Sequence, residues 1–139
     1  MILVDTSVWI DFINHTTSES AHILRRLIES DAEICLADIH LTEILQGIKP
    51  EKTFIELKKY LLMFPVLRPQ GIETYVFAAQ ISRLCSQKGN PMVKTVDTLI
   101  ATIAIETGAE LLHKDKDFDV IAKHLPLKIF KVPTTSANS

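Results

Sequence analysis

Cysteine is scarce in this 139-residue chain: Cys35 and Cys85 are the only two, with no C-x-x-C pair and no cysteine–histidine cluster. That argues against a disulfide framework or a zinc site, and buried free thiols in a reducing compartment are expected. An excess of basic charge is also missing. Fifteen Lys and Arg stand against 17 Asp and Glu, a formal net charge of −2. A surface that grips nucleic acid nonspecifically is thereby excluded, although a few local bases and a metal ion suffice to hold a phosphate. No apolar run approaches the roughly 20 residues of a membrane span. Met1 leads into an apolar run with no basic segment before it, so we expect no signal peptide and a cytoplasmic protein. Internal repeats are absent. The one low-complexity stretch is Pro133 to Ser139, PTTSANS, expected to be a flexible C-terminal tail after a domain spanning residues 1–132.

What is present is apolar and alternating. Hydrophobic residues make up 47% and charged residues 23%, enough for one globular domain with a substantial core. Ile2-Leu3-Val4 reads as a buried strand, and Ser7 can cap a short helix reaching about Asn14. Ile23, Leu24, Leu27 and Ile28 fall at helical spacing. Glu33–Ala37 is a second strand, after which Asp38 can cap a helix carrying Leu41, Ile44, Leu45 and Ile48. Glu51–Phe64 predicts a helix, Val66–Arg68 a strand, and Gly71–Lys88 a long helix with Ile72, Tyr75, Val76 and Ala79 in phase. Val96–Thr107 is apolar almost all round and predicts a buried helix stopped by Gly108. Glu110–Lys114 predicts a strand, Asp115–His124 a helix, and Leu127–Val132 a last strand. The alternation predicts an α/β fold, a parallel sheet of about five short strands covered by helices on both faces.

The acidic residues at the element junctions carry the chemical interest. Asp5 follows the first strand directly, where ligands of open α/β sheets bind; taken alone, it also reads as a helix-capping aspartate. Asp97 lies in the first turn of an otherwise apolar helix. An unpaired buried charge costs several kcal/mol, so a helix N-terminus or a cation must compensate it. Asp115, Asp117 and Asp119 have a calcium-loop rhythm, but Val120 stands where glycine is needed and Pro126 where a bidentate Glu belongs. Asp119 reads as a solvated helix residue. Glu43 lies opposite the apolar stripe of its helix and by pattern alone is solvated. Asp5, Asp97 and Asp115 are all expected at one edge of the sheet. Carboxylates gathered there need protons or a cation, and hard oxygen ligands select Mg²⁺ or Mn²⁺.

Three segments, VDTSVWIDF, ADIHLTEILQGI and TVDTLIATIAIETGAELLHKDKDF, in this order and spacing, resemble PIN-domain ribonucleases of the VapC toxin type. The resemblance covers nearly the whole chain. It implies a single PIN-like domain with a five-stranded parallel sheet and an acidic metal site at the strand ends. It places that site on Asp5, Glu43, Asp97 and Asp115, with Asp117 as an additional acid; Glu43 is thereby drawn in against its solvated reading. Thr6 and Ser7 match the family's hydroxyl residues next to the first aspartate. Lys114 and Lys116 are candidate phosphate neighbours, with solvated charge the plain alternative. The chain departs from the family with His113-Lys114 before the fourth acid and Thr98 after the third. Neither change removes a ligand, and His113 reads as a partly buried structural residue.

The activity so implied is Mg²⁺- or Mn²⁺-dependent endoribonuclease cleavage, by in-line attack of water with no covalent enzyme intermediate, on structured RNA such as tRNA or rRNA. The resemblance also implies a small cognate antitoxin covering the acidic groove, operator DNA bound only through that antitoxin, and a homodimer. The Tyr60–Phe64 cluster could serve as dimer interface or as core. A different class of function is a catalytically weak interaction protein whose acidic groove captures a basic partner peptide. A phosphomonoesterase is disfavoured, because Asp5-Thr6-Ser7 lacks the second aspartate of a D-x-D nucleophile motif.

Overall fold

The computed structural model describes residues 1–131. The chain order is β1 (Ile2–Val4), α1 (Thr6–Ile13), α2 (Glu19–Glu29), β2 (Ile34–Ala37), α3 (Asp38–Leu45), α4 (Glu51–Leu61), β3 (Val66–Leu67), α5 (Ile72–Gln87), α6 (Thr95–Thr107), β4 (Glu110–Leu112), α7 (Lys116–His124) and β5 (Lys128–Ile129). The five strands form one sheet in the order β3-β2-β1-β4-β5, and every neighbouring pair is parallel. The α/β fold expected from the alternation is the fold found. The proposed tail, Pro133–Ser139, lies outside the described residues, as does Val132.

Side-chain alternation along the strands explains why the sheet is sandwiched. Leu3, Cys35 and Leu111 point to one face and pack with Ile81, Ile100, Ile103, Phe118 and Ile121 of α5, α6 and α7. Ile2, Val4, Ile34, Leu36 and Leu112 point to the other, against Val8, Trp9, Leu24, Ile44, Leu57 and Leu61 of α1 to α4. Both faces of each strand are therefore apolar, as a doubly covered parallel sheet requires. The first three strands run outward from β1 to one edge, and the chain then returns to lay β4 on the other side of β1. That reversal between β1 and β4 is the switch point, beyond whose strand ends open α/β sheets bind their ligands.

Several local expectations need correction. Ser7 does not cap α1, which begins at Thr6 with Asp5 in the cap position; the Ser7 hydroxyl is committed to the Asp5 carboxylate instead. Asp38 is the first residue of α3 and not its cap. On α5 the in-phase residues face outward: Ile72, Tyr75 and Val76 are exposed, as is Ala79. The buried face carries Thr74, Ala78, Ile81 and Cys85. Small and hydroxylated residues win there because α5 packs closely on α6, and Thr74 Oγ1 donates to Glu106 Oε2 at 2.7 Å. The Tyr60–Phe64 cluster belongs only partly to the core. Leu61 is buried and Met63 exposed, while Tyr60 and Phe64 stack edge-on. Both cysteines are free and buried, and burial pushes the Cys35 thiol up to about 11. No helix among the described residues is long and apolar enough to cross a membrane.

Gly108 adopts φ +71° at the end of α6, and a Cβ there would meet no atom within 4 Å. Gly108→Ala is therefore expected to cost about 1–2 kcal/mol, from backbone conformation alone. Ile100→Ala, at a fully buried position, should cost about 2–5 kcal/mol through the cavity it leaves. Urea denaturation of the two variants beside the parent checks both magnitudes.

Candidate active site

The acids reach the switch point on four separate elements. Asp5 follows β1, and its backbone N–H donates to Leu112 O at 2.9 Å, continuing the β1–β4 ladder into the site. Asp115 follows β4 and is the N-cap of α7, its Oδ1 accepting from Asp117 N–H at 2.9 Å. Asp117 and Asp97 stand in the first turns of α7 and α6. Glu43 comes from α3, and accepts a 2.8 Å hydrogen bond from Thr6 Oγ1, next in sequence to Asp5. The coils before α6 and α7 are tied together, since Lys94 N–H donates to Asp117 Oδ2 at 3.2 Å.

One carboxylate oxygen each from Asp97, Asp115 and Asp117 can lie within 4.8 Å of one another. Asp117 thus stands inside the tight group, although the sequence suggested it only as an additional acid. Asp5 and Glu43 lie outside that trio. Asp5 nevertheless acts on it electrically. The Asp97 carboxyl is pushed up to about 8, first by burial, then by the charge of Asp115, contact with Asp117, and the charges of Asp5 and Asp117. Asp97 Oδ2 is buried without a hydrogen-bond partner among the described residues. The expectation that an unpaired carboxylate here needs compensation therefore meets an orphaned oxygen on one residue of the cluster.

Asp5 is treated differently. It is 6% exposed, and burial works to raise its carboxyl. The hydrogen bond and attraction of His40, with help from Ser7, outweigh burial and hold it below the ordinary carboxylate value. His40 Nε2 lies 3.2 Å from Asp5 Oδ1, and Ser7 Oγ donates to Oδ2 at 3.1 Å. Although Asp5 occupies the cap position of α1, its side chain makes no capping bond; its two oxygens are engaged by His40 and Ser7.

Lys114 Nζ pairs with Asp11 of α1, and Lys116 is exposed at the start of α7. The lysine paired with the acidic trio is Lys94, its Nζ 3.8 Å from Asp115 Oδ2. His113 braces the loop after β4: Nδ1 accepts from Asp115 N–H at 3.0 Å and Nε2 lies 3.3 Å from Asp119. Its ring packs on Phe118, in keeping with a structural role. Sequence reasoning passed over His40 and Lys94. His40 could have been found: it lies three residues before Glu43, on the same face of α3.

Comparison with known proteins agrees with this architecture. The family model described as PIN domain matches residues 2–124. The chain is 36% identical over 124 residues to VapC ribonuclease Mb1587 of Mycobacterium bovis, spanning 88% of this chain and 92% of that protein. The same figures hold for ribonuclease VapC11 of Mycobacterium tuberculosis. Among solved structures, VapBC2 from Rickettsia felis bound to a DNA fragment from its promoter superposes with TM-score 0.69 at 22% identity, covering 100% of this chain and 99% of that one. FitAcB from Neisseria gonorrhoeae superposes with TM-score 0.68 at 19% identity, covering 94% and 97%. A parallel sheet with acids converging at its switch point, and a family model matched along most of its length, place this chain in the PIN-domain family.

Proposed function

We propose that the chain is a divalent-metal-dependent endoribonuclease and the toxin of a toxin–antitoxin pair. The observation that carries this reading is the convergence of Asp97, Asp115 and Asp117, together with the unpartnered, buried Oδ2 of Asp97, with Asp5 and Glu43 alongside. The ribonuclease names of the curated relatives support it.

The donor set fits a hard cation. Every candidate ligand is a carboxylate oxygen, and the orphaned oxygen has no hydrogen-bond donor among the described residues to compensate it once ionised. Asp5, Asp97, Asp115 and Asp117 would hold Mg²⁺ or Mn²⁺, with Glu43 holding water or a second ion. Such an ion supplies charge stabilisation at the scissile phosphate and a more acidic water. The protein's own groups do the positioning. Ser7 and His40 fix the two oxygens of Asp5, and Thr6 fixes one oxygen of Glu43. Lys94 and the exposed Lys116 bring positive charge to the rim, where an RNA backbone would pass; Lys114 could join them by leaving Asp11. Structured RNA such as tRNA or rRNA is the proposed substrate class.

We also propose a cognate antitoxin as partner, operator DNA contacted only through it, and a homodimer. The structural likeness to VapBC2, bound to promoter DNA, and to FitAcB supports the antitoxin.

Asp5→Asn and Asp97→Asn should each lower RNA cleavage at least about 100-fold, the scale lost when a group stabilising transition-state charge is removed. Cleavage of labelled RNA with Mg²⁺ or Mn²⁺ checks this. Intact RNA from the parent protein under every metal condition, with tight capture of a basic peptide, would support the interaction-protein reading instead.

The raised Asp97 carboxyl sets a pH dependence. Its value rises from 3.8 to about 8 on folding, so between these values the native state keeps a proton that the unfolded chain has lost. Metal-free stability is therefore expected to fall as pH climbs through this window, and Asp97→Asn should flatten the decline. Binding of Mn²⁺ displaces that proton, so affinity should strengthen up to about pH 8. Urea titrations in EDTA at pH 5 and pH 8, and calorimetry in buffers of different ionisation enthalpy, measure the two effects.

A further inference from the structure

His40 is fully buried, and both of its ring nitrogens are engaged. Nδ1 accepts a hydrogen bond from Ala37 N–H at 3.0 Å, so it carries no proton of its own. The ring proton therefore sits on Nε2, which donates to Asp5 Oδ1 at 3.2 Å. A second tie runs the opposite way, from Thr6 Oγ1 to Glu43 Oε1 at 2.8 Å. The start of α1 and the body of α3 thus hold each other's carboxylates: α3 holds Asp5 through His40, and α1 holds Glu43 through Thr6.

We propose that His40 is a positioning residue that presents Asp5 to a divalent cation, through an Nε2–H tautomer imposed by the backbone N–H of Ala37. The proposal rests on the metal-nuclease reading above. With Oδ1 bonded to His40 and Oδ2 to Ser7, the Asp5 carboxylate cannot turn about its own axis without breaking a buried hydrogen bond. Each oxygen still has lone pairs free for an ion. The protonated Nε2 is excluded as a ligand in this tautomer, so His40 acts through Asp5. Groups that orient metal-binding carboxylates in this way typically change affinity about 10–100-fold when removed. A purely structural role is the competing account, in which His40 matters only as the acceptor for Ala37 at the β2–α3 junction.

The two nitrogens make the roles separable. Gln places its amide near the position of Nε2, so His40→Gln keeps a donor for Asp5 and gives up the acceptor for Ala37. Asn places its amide near Nδ1, so His40→Asn keeps that acceptor and loses the donor. Titration of the full-length protein with Mn²⁺, read as free-ion EPR signal, is expected to show His40→Asn binding about 10–100-fold more weakly and His40→Gln close to the parent. Melting without metal should rank the pair the other way, with His40→Gln the less stable. Equal Mn²⁺ binding by His40→Asn and the parent, or equal losses in both variants, would overturn the proposal.

Should either variant fail to fold, the unaltered protein still decides. Long-range ¹⁵N–¹H correlation spectra are expected to show the His40 proton on Nε2, and a proton on Nδ1 would overturn the proposed tautomer. A parent protein that binds no Mn²⁺ and cleaves no RNA overturns the nuclease reading as well. A parent that does both while the spectra or variants disagree overturns the role of His40 alone.

Discussion

Asp97, Asp115 and Asp117 bring carboxylate oxygens within 4.8 Å of one another, and the charge of Asp5 reaches them. At such separations, two like charges in a partly buried site repel by about 4 kcal/mol. The helix starts on which Asp97 and Asp117 lie return only about 0.3–1 kcal/mol each. The pairing of Asp115 with Lys94 is exposed on the lysine side and adds at most about 1 kcal/mol. These terms do not offset the repulsion, so the pocket has to take up positive charge, as a proton or as a cation. Burial and the neighbouring acids push up the carboxyl of Asp97, the one with an orphaned oxygen.

That need accounts for the unequal treatment of the acids. Asp5 is as buried as Asp97, yet its carboxyl is held below the ordinary range because His40 and Ser7 donate to it. Asp97 has no comparable donor and rises. The pocket therefore combines one carboxylate held below the ordinary range with another pushed above it. The backbone supplies the rigidity. Asp5 is the continuation of β1 and bonded to the end of β4, so its Cα moves only if the central ladder moves. Parallel pairing throughout places the ends of β1, β2 and β4 on one rim, and the elements that follow them carry Asp5, Glu43 and Asp115.

Fold and site were legible in the sequence to different depths. The buried α6 was plain from its near-continuous apolar surface, and the strands from short apolar runs next to acids or prolines. The in-phase stripe of α5 turns outward; periodicity reveals that a helix has two faces, not which one meets the core. Thr74 and Ala78 took the inner face by being small enough for close contact with α6. Ser7 and Asp38 looked like caps because residues of their type often are; a nearby carboxylate claimed the Ser7 hydroxyl. Glu43 read as solvated by pattern and was drawn in only by resemblance. Its placement beside Thr6 depends on how α3 packs against α1, and helical spacing does not encode that.

By itself, the sequence determined the α/β class, the stretches that become strands and helices, and the acids at the junctions, because periodicity and junction chemistry are local properties. Tertiary structure decided which acids share a pocket, that Asp117 joins Asp97 and Asp115, and that His40 and Lys94 complete the surroundings. Those outcomes follow from the crossing of the chain between β1 and β4, which brings together residues up to 112 positions apart. Burial and mutual repulsion act only once such residues are neighbours in space.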